Sequence, residues 1–597
     1  MRRPGLEWLV FLALGLVGIH RSFQAGYVVG DGVDLFGSVW FAWWIQDCIL
    51  ELRDPGFTTH FFYPLGKDIF AHTGNNFVDM VIAAPLYWLF GNPGYQRWFV
   101  LGTFLVNIAC FRVLAKGLFE QRVVVFAASL AYAISPYLLF EITAGRITQA
   151  FVPFLPLAFH WFFKLSRGGS YRDAALAGLF TALQGWTYWF MGWFMAFAFV
   201  PLALGALWRS DDRKGLALRY GLAGLTCGLA ILPGVIAMGM AASSGDVPGL
   251  HDGPINLFES PGELANNIGP SLHGANLIET VGPRMLLSWS WAPVVLAGLV
   301  AAPRLRVACA VVGIMAIGPV MVLPWFQEPL VLPWYMAAYH LLPYFDRLWY
   351  PYRAYAVLFL LVCLSLGYLA KFVHSRHPRA LVGGMVVFAL ATLVEQNRWG
   401  IYPFVSRDAA LPEALEPIRD LGGKVIHLPM EINQDSIMWQ THHEQPMFGG
   451  MGENAALLQP DGYRERMDNS FIRALRLTAL LPMESQPYSP LQRERIEEEG
   501  FRWVVLQRDL VESQSFRQSR MTASPKELER KAIDATRLLV KMLGEPVSVG
   551  GAVVLWDLLG EAQAPSGFEP TDEALYTRTW ESVIPPEYEA QVRENMR

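Results

Sequence analysis

Two aspartates, Asp31 and Asp34, stand three residues apart in a glycine-rich turn directly after the first long apolar segment. The segment that follows, residues 35–52, is rich in tryptophan, which is typical of a helix lying in a membrane interface. A carboxylate at the start of such a helix can act as a general base towards a bound hydroxyl group. The alternative is that the aspartates only cap the helix.

Polar residues continue along the same loop. His60 and His72 accompany the polar segments 63–68 and 73–76, which together suit the lining of a substrate cavity. We take His60 as a candidate for substrate contact, although a structural role in an ordinary turn explains the same residues.

Charged residues also stand beside later apolar segments. Glu141 and Arg146 lie between two of them, where a charge is costly unless it is paired or functional. Arg146 can bind a phosphate through two N–H groups, and a structural Glu–Arg pair is the alternative. Arg347 and Arg353 flank an aromatic segment further along and suit an anionic ligand such as a phosphate or diphosphate headgroup.

These residues lie in a chain whose composition changes near residue 400. The whole sequence is 53% hydrophobic and 17% charged, with a mean hydropathy of +0.29. Residues 1–400 contain 26 Lys and Arg and 21 Asp and Glu, whereas the shorter part, residues 401–597, contains 21 and 31. The second part has the charge density of an ordinary soluble domain. We therefore predict a polytopic α-helical membrane domain, residues 1–400, and a soluble α/β domain, residues 401–597.

The membrane domain is predicted to cross the bilayer eleven times, because it contains eleven apolar segments near the required length. They lie at 5–20, 97–115, 122–138, 150–166, 174–189, 190–208, 219–241, 285–302, 306–324, 354–371 and 379–396.

Residues 77–90 are predicted to be re-entrant rather than spanning, because the segment has only 14 residues and contains Asp79 and Pro85. This assignment places 17 of the 26 basic residues on the side of the N-terminus, which the positive-inside rule makes cytoplasmic. The C-terminal domain is then extracytoplasmic, together with four outer loops, at 21–96, 139–149, 242–284 and 325–353.

The C-terminal part shows strand and helix patterns in alternation. Strands are predicted at 424–428, 502–507, 546–549 and 552–557, and helices at 411–421, 490–499 and 525–543. Adjacent side chains rarely point to one centre, so His442, His443 and Glu444 are not expected to form a metal site.

Several function classes are excluded by what the sequence lacks. It contains no phosphate-binding loop, zinc-protease motif or nucleophile elbow in a useful context. The five cysteines form no paired pattern, and no basic patch for nucleic acid is present.

With the acidic pair, the tryptophan-rich segment, Glu141 and Arg146 and the outer soluble tail, the chain resembles the GT-C glycosyltransferases. These are integral membrane enzymes that take sugars from polyprenyl-phosphate-linked donors. The resemblance covers residues 1–400 and concerns the arrangement of their segments. Within the superfamily, the chain resembles the bacterial YfhO-type branch.

The resemblance implies roles for individual residues. The catalytic base would be Asp31 or Asp34. Glu141 matches the acidic position of the second outer loop and would join Asp34 if a metal ion is bound. Arg347 and Arg353 would hold the lipid phosphate. The second loop lacks an Asp-x-Asp or Asp-Glu pair, so a divalent metal ion is a candidate cofactor and not a certain one.

The implied partners are a polyprenyl-phosphate-linked sugar donor, an extracytoplasmic acceptor (a cell-envelope glycan, lipid or protein) and the bilayer of a bacterial cytoplasmic membrane. The implied reaction is a single displacement that inverts the anomeric centre. Two alternatives stay open: a transporter of lipid-linked saccharides, which would show internal symmetry and charges in mid-span, and a non-enzymatic assembly protein of the envelope.

Overall fold

The computed structural model describes residues 4–32, 34–69, 76–243, 288–321, 330–342, 345, 348, 350–430, 435–451, 459–480, 486–508, 525–550 and 552–561. These residues form two compact units. The first unit takes its described residues from within 4–52, 76–243 and 288–408, and the second from 53–69 and 409–561.

The first unit is helical. Its described helices are α1 (Pro4–Ile19), α2 (Leu35–Glu51), α3 (Val78–Phe90), α4 (Tyr95–Leu118), α5 (Arg122–Ala133), α6 (Pro136–Thr143), α7 (Ile147–Ala150), α8 (Phe154–Leu165), α9 (Tyr171–Thr187), α10 (Phe190–Arg209), α11 (Arg213–Ser243), α12 (Ala292–Ala301), α13 (Arg306–Ile317), α14 (Pro333–Leu341), α15 (Tyr355–Arg376) and α16 (Pro378–Arg398).

Seven helical segments among the described residues are long and apolar enough to cross a membrane, and each overlaps a predicted span. They are Gly5–Phe23, Tyr95–Leu118, Arg122–Thr143, Phe190–Arg209, Arg213–Met240, Pro351–Arg376 and Pro378–Arg398. The other four predicted spans fall on the shorter helices α8, α9, α12 and α13. A polytopic helical membrane fold is therefore confirmed, while eleven crossings stay a prediction.

Helix α3 occupies the segment predicted to be re-entrant. It has 13 residues with Pro85 inside it, fewer than the ~20 that a perpendicular crossing needs. Its length agrees with a segment that enters the bilayer without spanning it. The sidedness derived from that assignment stays a prediction.

A short two-stranded sheet connects the two ends of the first unit's chain. Strand Tyr27–Val29 pairs antiparallel with strand Ser406–Asp408, so that Val28 lies opposite Arg407. The Gln96 side chain accepts from the Val29 N–H at 2.8 Å and donates to the Val29 carbonyl at 2.9 Å, which satisfies both polar groups of that residue. The sheet places residues 401–408 in the first unit, beyond the predicted boundary at residue 400.

The second unit contains a four-stranded sheet that confirms the predicted α/β pattern. Strand Lys424–Leu428 runs parallel to Phe501–Gln507, which pairs antiparallel with Val553–Asp557, and Ser548–Gly550 completes the edge. The described helices of this unit are α17 (Glu416–Leu421), α18 (Asp435–His443), α19 (Tyr463–Met467), α20 (Ser470–Leu480), α21 (Pro490–Glu498) and α22 (Pro525–Leu543). The buried core includes Trp439, Trp503 and Leu555.

A hairpin from the first outer loop also belongs to the second unit, although residues 21–96 are predicted to lie with the membrane domain. Its strands, Phe57–Thr58 and Lys67–Asp68, pair antiparallel. The Met447 N–H donates to the His60 carbonyl at 2.8 Å, and the Tyr63 N–H donates to the Met447 carbonyl at 3.0 Å. These bonds satisfy the backbone of the hairpin within the second unit, which is why it groups there.

Candidate functional site

The candidate site of the first unit is formed where the turn 30–34 meets the turn 143–146. Gly30 has φ +109°, and a Cβ atom there would lie 2.5 Å from the Cα of Gly145. A Cβ on Gly32 would lie 2.3 Å from the carbonyl oxygen of Ala144. Both positions therefore require glycine, since only a bare backbone permits two chain segments to approach so closely.

Asp31 is held at this junction by its backbone. Its N–H donates to the Thr143 carbonyl at 2.8 Å, while the Gly30 N–H donates to the Val405 carbonyl at 2.8 Å. The Asp31 carboxylate lies 3.8 Å from a terminal nitrogen of Arg407 and its side chain is 55% exposed. The carboxylate is thus oriented by a cation and still accessible to a ligand.

Asp34 stands at the N-cap position of α2, which is the place that the capping alternative assigns to it. Its side chain nevertheless makes no capping hydrogen bond. The carboxylate lies instead 3.7 Å from a terminal nitrogen of Arg353, and its side chain is 46% exposed. Capping therefore does not account for this carboxylate.

Arg353 lies in the 3-10 turn Pro351–Ala354 and is almost completely buried. One terminal nitrogen donates to the Tyr188 hydroxyl at 2.8 Å. The guanidinium centre lies 5.1 Å from the Tyr188 ring and 4.8 Å from the Tyr350 ring, a cation–π arrangement that stabilises the charge. Its Nε has no hydrogen-bond partner among the described residues, so the group retains a donor.

Glu141 and Arg146 form a buried ion pair, with Oε2 of the carboxylate 2.5 Å from Nε of the guanidinium. The other carboxylate oxygen and one terminal nitrogen of Arg146 have no partner among the described residues. Burial alone would lower the pKa of Arg146, but the adjacent negative charge of Glu141 outweighs it and raises that pKa above its ordinary value. Arg146 therefore stays charged, and the pair keeps one donor and one acceptor unused.

The structure brings together five of the seven predicted site residues. They are Asp31, Asp34, Glu141, Arg146 and Arg353, of which Asp34 pairs with Arg353 and Glu141 with Arg146. His60 belongs to the second unit, where its carbonyl accepts from the Met447 N–H and from the Gln440 side chain.

Some predicted positions lie outside the described residues. These are Arg347 and His72, together with most of the predicted outer loop 242–284.

The resemblance implies a divalent metal ion, for which the carboxylates of this site are the candidate ligands. Among the described residues, no group of three or more His, Cys, Asp or Glu is arranged to hold a metal ion. Asp34 and Glu141 each face a guanidinium, whose positive charge opposes a divalent cation. These two carboxylates by themselves do not fit a metal site.

Two residues of the site, Arg407 and Tyr188, are not predicted from the sequence. Arg407 falls in the part of the chain counted as the soluble domain, and Tyr188 lies at the end of an apolar run assigned to a span. Neither carries a local signal, because each joins the site through a contact with a residue far away in the sequence. A basic residue just after the last span, on the side of the acidic turn, was the available hint for Arg407.

Comparison with known proteins bears on the fold. No family model matches the sequence. No curated protein matches it either. The arabinofuranosyltransferase AftD from Mycobacteria aligns with a TM-score of 0.51 and 14% identity over 93% of this chain and 39% of that chain. ArnT from Cupriavidus metallidurans in the apo state aligns with a TM-score of 0.50 and 12% identity over 94% of this chain and 100% of that chain.

At such low identities the likeness concerns the fold alone. It supports the predicted architecture of a helical membrane part followed by a smaller region that contains a sheet. The chain spans well under half the length of AftD.

Proposed function

We propose that this chain is a membrane glycosyltransferase that moves a sugar from a polyprenyl-phosphate-linked donor to the hydroxyl group of an acceptor. The observation that carries the proposal is the pair of Asp34 and Arg353. An accessible carboxylate lies 3.7 Å from a buried guanidinium. One group can accept a proton and the other can bind a phosphate, which are the two tasks of such a transfer.

The reaction would be a single displacement. An acceptor hydroxyl gives its proton to the carboxylate of Asp31 or Asp34 as its oxygen attacks the anomeric carbon. The bond between that carbon and the phosphate oxygen breaks, and the electron pair leaves with the phosphate. Arg353 stabilises the charge that develops on the leaving phosphate, and the anomeric centre is inverted.

Arg353 has the properties that this role requires. It is fixed by the Tyr188 hydroxyl and by two tyrosine rings, so little entropy is lost when a phosphate binds. Its Nε has no partner among the described residues, and its terminal nitrogen lies 3.7 Å from Asp34, which is longer than a hydrogen bond. Arg353 therefore has N–H groups that can donate to a phosphate. Arg146, with one unused terminal nitrogen, is a second candidate contact for the phosphate.

The predicted topology indicates on which face of the membrane the transfer takes place. We propose that the acceptor is a cell-envelope glycan, lipid or protein, and that transfer occurs on the extracytoplasmic face of a bacterial cytoplasmic membrane. The YfhO-type branch of the superfamily is proposed as the group to which the chain is similar. A metal ion bound by Asp34 and Glu141 is not part of the proposal, because each faces an arginine.

The experiment uses the purified full-length chain in liposomes with a polyprenyl phosphate that carries a radiolabelled sugar. Formation of a labelled glycosidic product that is lost in Asp31→Asn or in Asp34→Asn and kept in Asp408→Asn supports the proposal. Movement of the label across the bilayer without any product would indicate the transporter instead. Absence of both product and movement with a panel of donors and acceptors would contradict both functions.

A further inference from the structure

The second unit contains a small pocket that the proposed transfer does not use. Its interior has room for about one water molecule. The lining residues are His427, Met430, Ser436, Met447, Phe448, Gly449 and Gly450. A space of this size suits a single ion or water rather than a sugar.

The chain segments that form the pocket are tied together by backbone hydrogen bonds. His427 is near the end of strand Lys424–Leu428, and the Phe448 N–H donates to the Val425 carbonyl at 3.0 Å beside it. Val425 and Met447 form a parallel bridge. The strand end and the segment 447–450 therefore hold their side chains in a fixed relation, as a preformed site requires.

His427 is the polar group that the pocket leaves unsatisfied. Its side chain is more than nine-tenths buried, and neither ring nitrogen has a hydrogen-bond partner among the described residues. A buried imidazole is neutral because burial disfavours its charged form, so one ring nitrogen presents a lone pair. A buried imidazole with two unused nitrogens is unfavourable unless a ligand occupies the space.

The other buried side chains of the lining narrow the choice of ligand. Met430 and Met447 are each 2% exposed and contribute soft thioether groups. Among the described lining residues there is no carboxylate, the group that Ca²⁺ and Mg²⁺ prefer. Thioethers combined with imidazole are the donors that soft Cu(I) selects.

We propose that His427, Met430 and Met447 form a binding site for one soft monovalent metal ion of the Cu(I) type. The site lies within the second unit and is independent of the transfer reaction. A neutral imidazole and two neutral thioethers suit a singly charged ion, since the described lining residues bring no negative charge to compensate a doubly charged one.

The test uses the full-length chain in detergent with Ag(I), a redox-inert probe of Cu(I) sites. Wild type, the double variant Met430→Leu with Met447→Leu, and the control Met438→Leu are incubated with excess Ag(I) and separated from free metal. Met438 is a buried methionine of the same unit that does not line the pocket. Bound silver is then measured by elemental mass spectrometry, so that binding by the five cysteines cancels in the comparison.

We expect wild type and Met438→Leu to retain about one equivalent more silver than the double variant. His427→Asn should lose the same one equivalent of bound silver. Of the four proteins, only wild type and Met438→Leu should gain thermal stability when Ag(I) is added. Equal silver in all four proteins would overturn the proposal. A stabilisation by Zn²⁺ or Mg²⁺ that depends on His427, with none by Ag(I), would also overturn it. Equal melting temperatures of the metal-free proteins exclude misfolding as the cause.

Discussion

The guanidinium of Arg353 and the carboxylate of Asp34 lie 3.7 Å apart, although the two residues stand in the first and the last third of the membrane unit's sequence. The cation is buried between tyrosine rings, while the anion is nearly half exposed. We expect an incoming phosphate to approach the arginine from the side on which Asp34 is exposed.

The first prediction concerns the proton acceptor. Asp31→Asn and Asp34→Asn keep the shape of the side chain and remove its charge. The variant that lacks the base should lose about 10²–10⁴-fold in kcat of sugar transfer, the usual contribution of general base catalysis. The other should mainly raise the KM for the donor. Asp408→Asn, an exposed aspartate of the neighbouring strand, is the control. Full activity in both Asp31→Asn and Asp34→Asn would refute the assignment.

The second prediction concerns the phosphate contact. Arg353→Lys keeps the charge but loses the planar group that stacks on Tyr188 and Tyr350. We expect kcat/KM for the donor to fall by roughly 10²-fold, as for the loss of one group that stabilises a developing anion. Tyr188→Phe removes only the hydrogen bond to Arg353 and should cost about tenfold or less. If Arg353→Lys keeps the wild-type KM for the donor, Arg353 does not bind the donor phosphate.

The third prediction concerns the stability of the buried pair of Glu141 and Arg146. Glu141→Gln leaves the Arg146 charge buried without its partner and should lower the free energy of unfolding by about 3–5 kcal/mol. Thermal unfolding in detergent measures this loss. Adding Arg146→Met removes the orphaned charge, so the double variant should recover most of the stability. If it also recovers sugar transfer, Arg146 does not contact the donor.

The fourth prediction concerns the close approach of the two turns. Gly145 has φ +71°, and a Cβ atom there would lie 2.6 Å from the Cβ of Leu35, the first residue of α2. Gly145→Ala should displace the start of that helix and lower kcat of transfer by roughly 10²-fold through a misplaced carboxylate. Gly192→Ala is the matched control, because nothing lies within 4 Å of its Cβ position. Unchanged transfer in Gly145→Ala would mean that the turn tolerates the shift.

The fifth prediction concerns pH and Lys67 of the second unit. Burial lowers the pKa of Lys67 from 10.5 to about 7. Between these values the unfolded chain binds more protons than the folded chain, so the free energy of unfolding rises as the pH increases from 7 to 10.5. The slope is at most about 1.4 kcal/mol per pH unit.

Lys67→Met should lack this rise. The difference between the melting temperatures of wild type and variant, followed from pH 7 to pH 10, measures it. Lys67 donates to the Met451 carbonyl at 2.6 Å, so a difference that does not change with pH would reflect loss of that bond alone.

Much of the architecture was accessible from the sequence by itself. Apolar length and charge density distinguished the helical membrane part from the mixed tail, and the strands predicted at 424–428, 502–507, 546–549 and 552–557 each overlap a strand of the structure. These features depend on local composition and periodicity, which any window of the sequence contains. The acidic turn at Asp31 and Asp34 was visible for the same reason.

Only the tertiary structure decided which charged groups face each other. Asp34 meets Arg353 and Asp31 meets Arg407 because glycine backbones in two distant turns permit a close approach, and no local pattern encodes that approach. No local pattern predicts the place of the hairpin that carries His60 either. Its backbone groups form hydrogen bonds with residues 447–449, so the hairpin belongs to the second unit. Sequence periodicity specifies the elements, whereas the pairing of a charge depends on contacts between residues that are hundreds of positions apart.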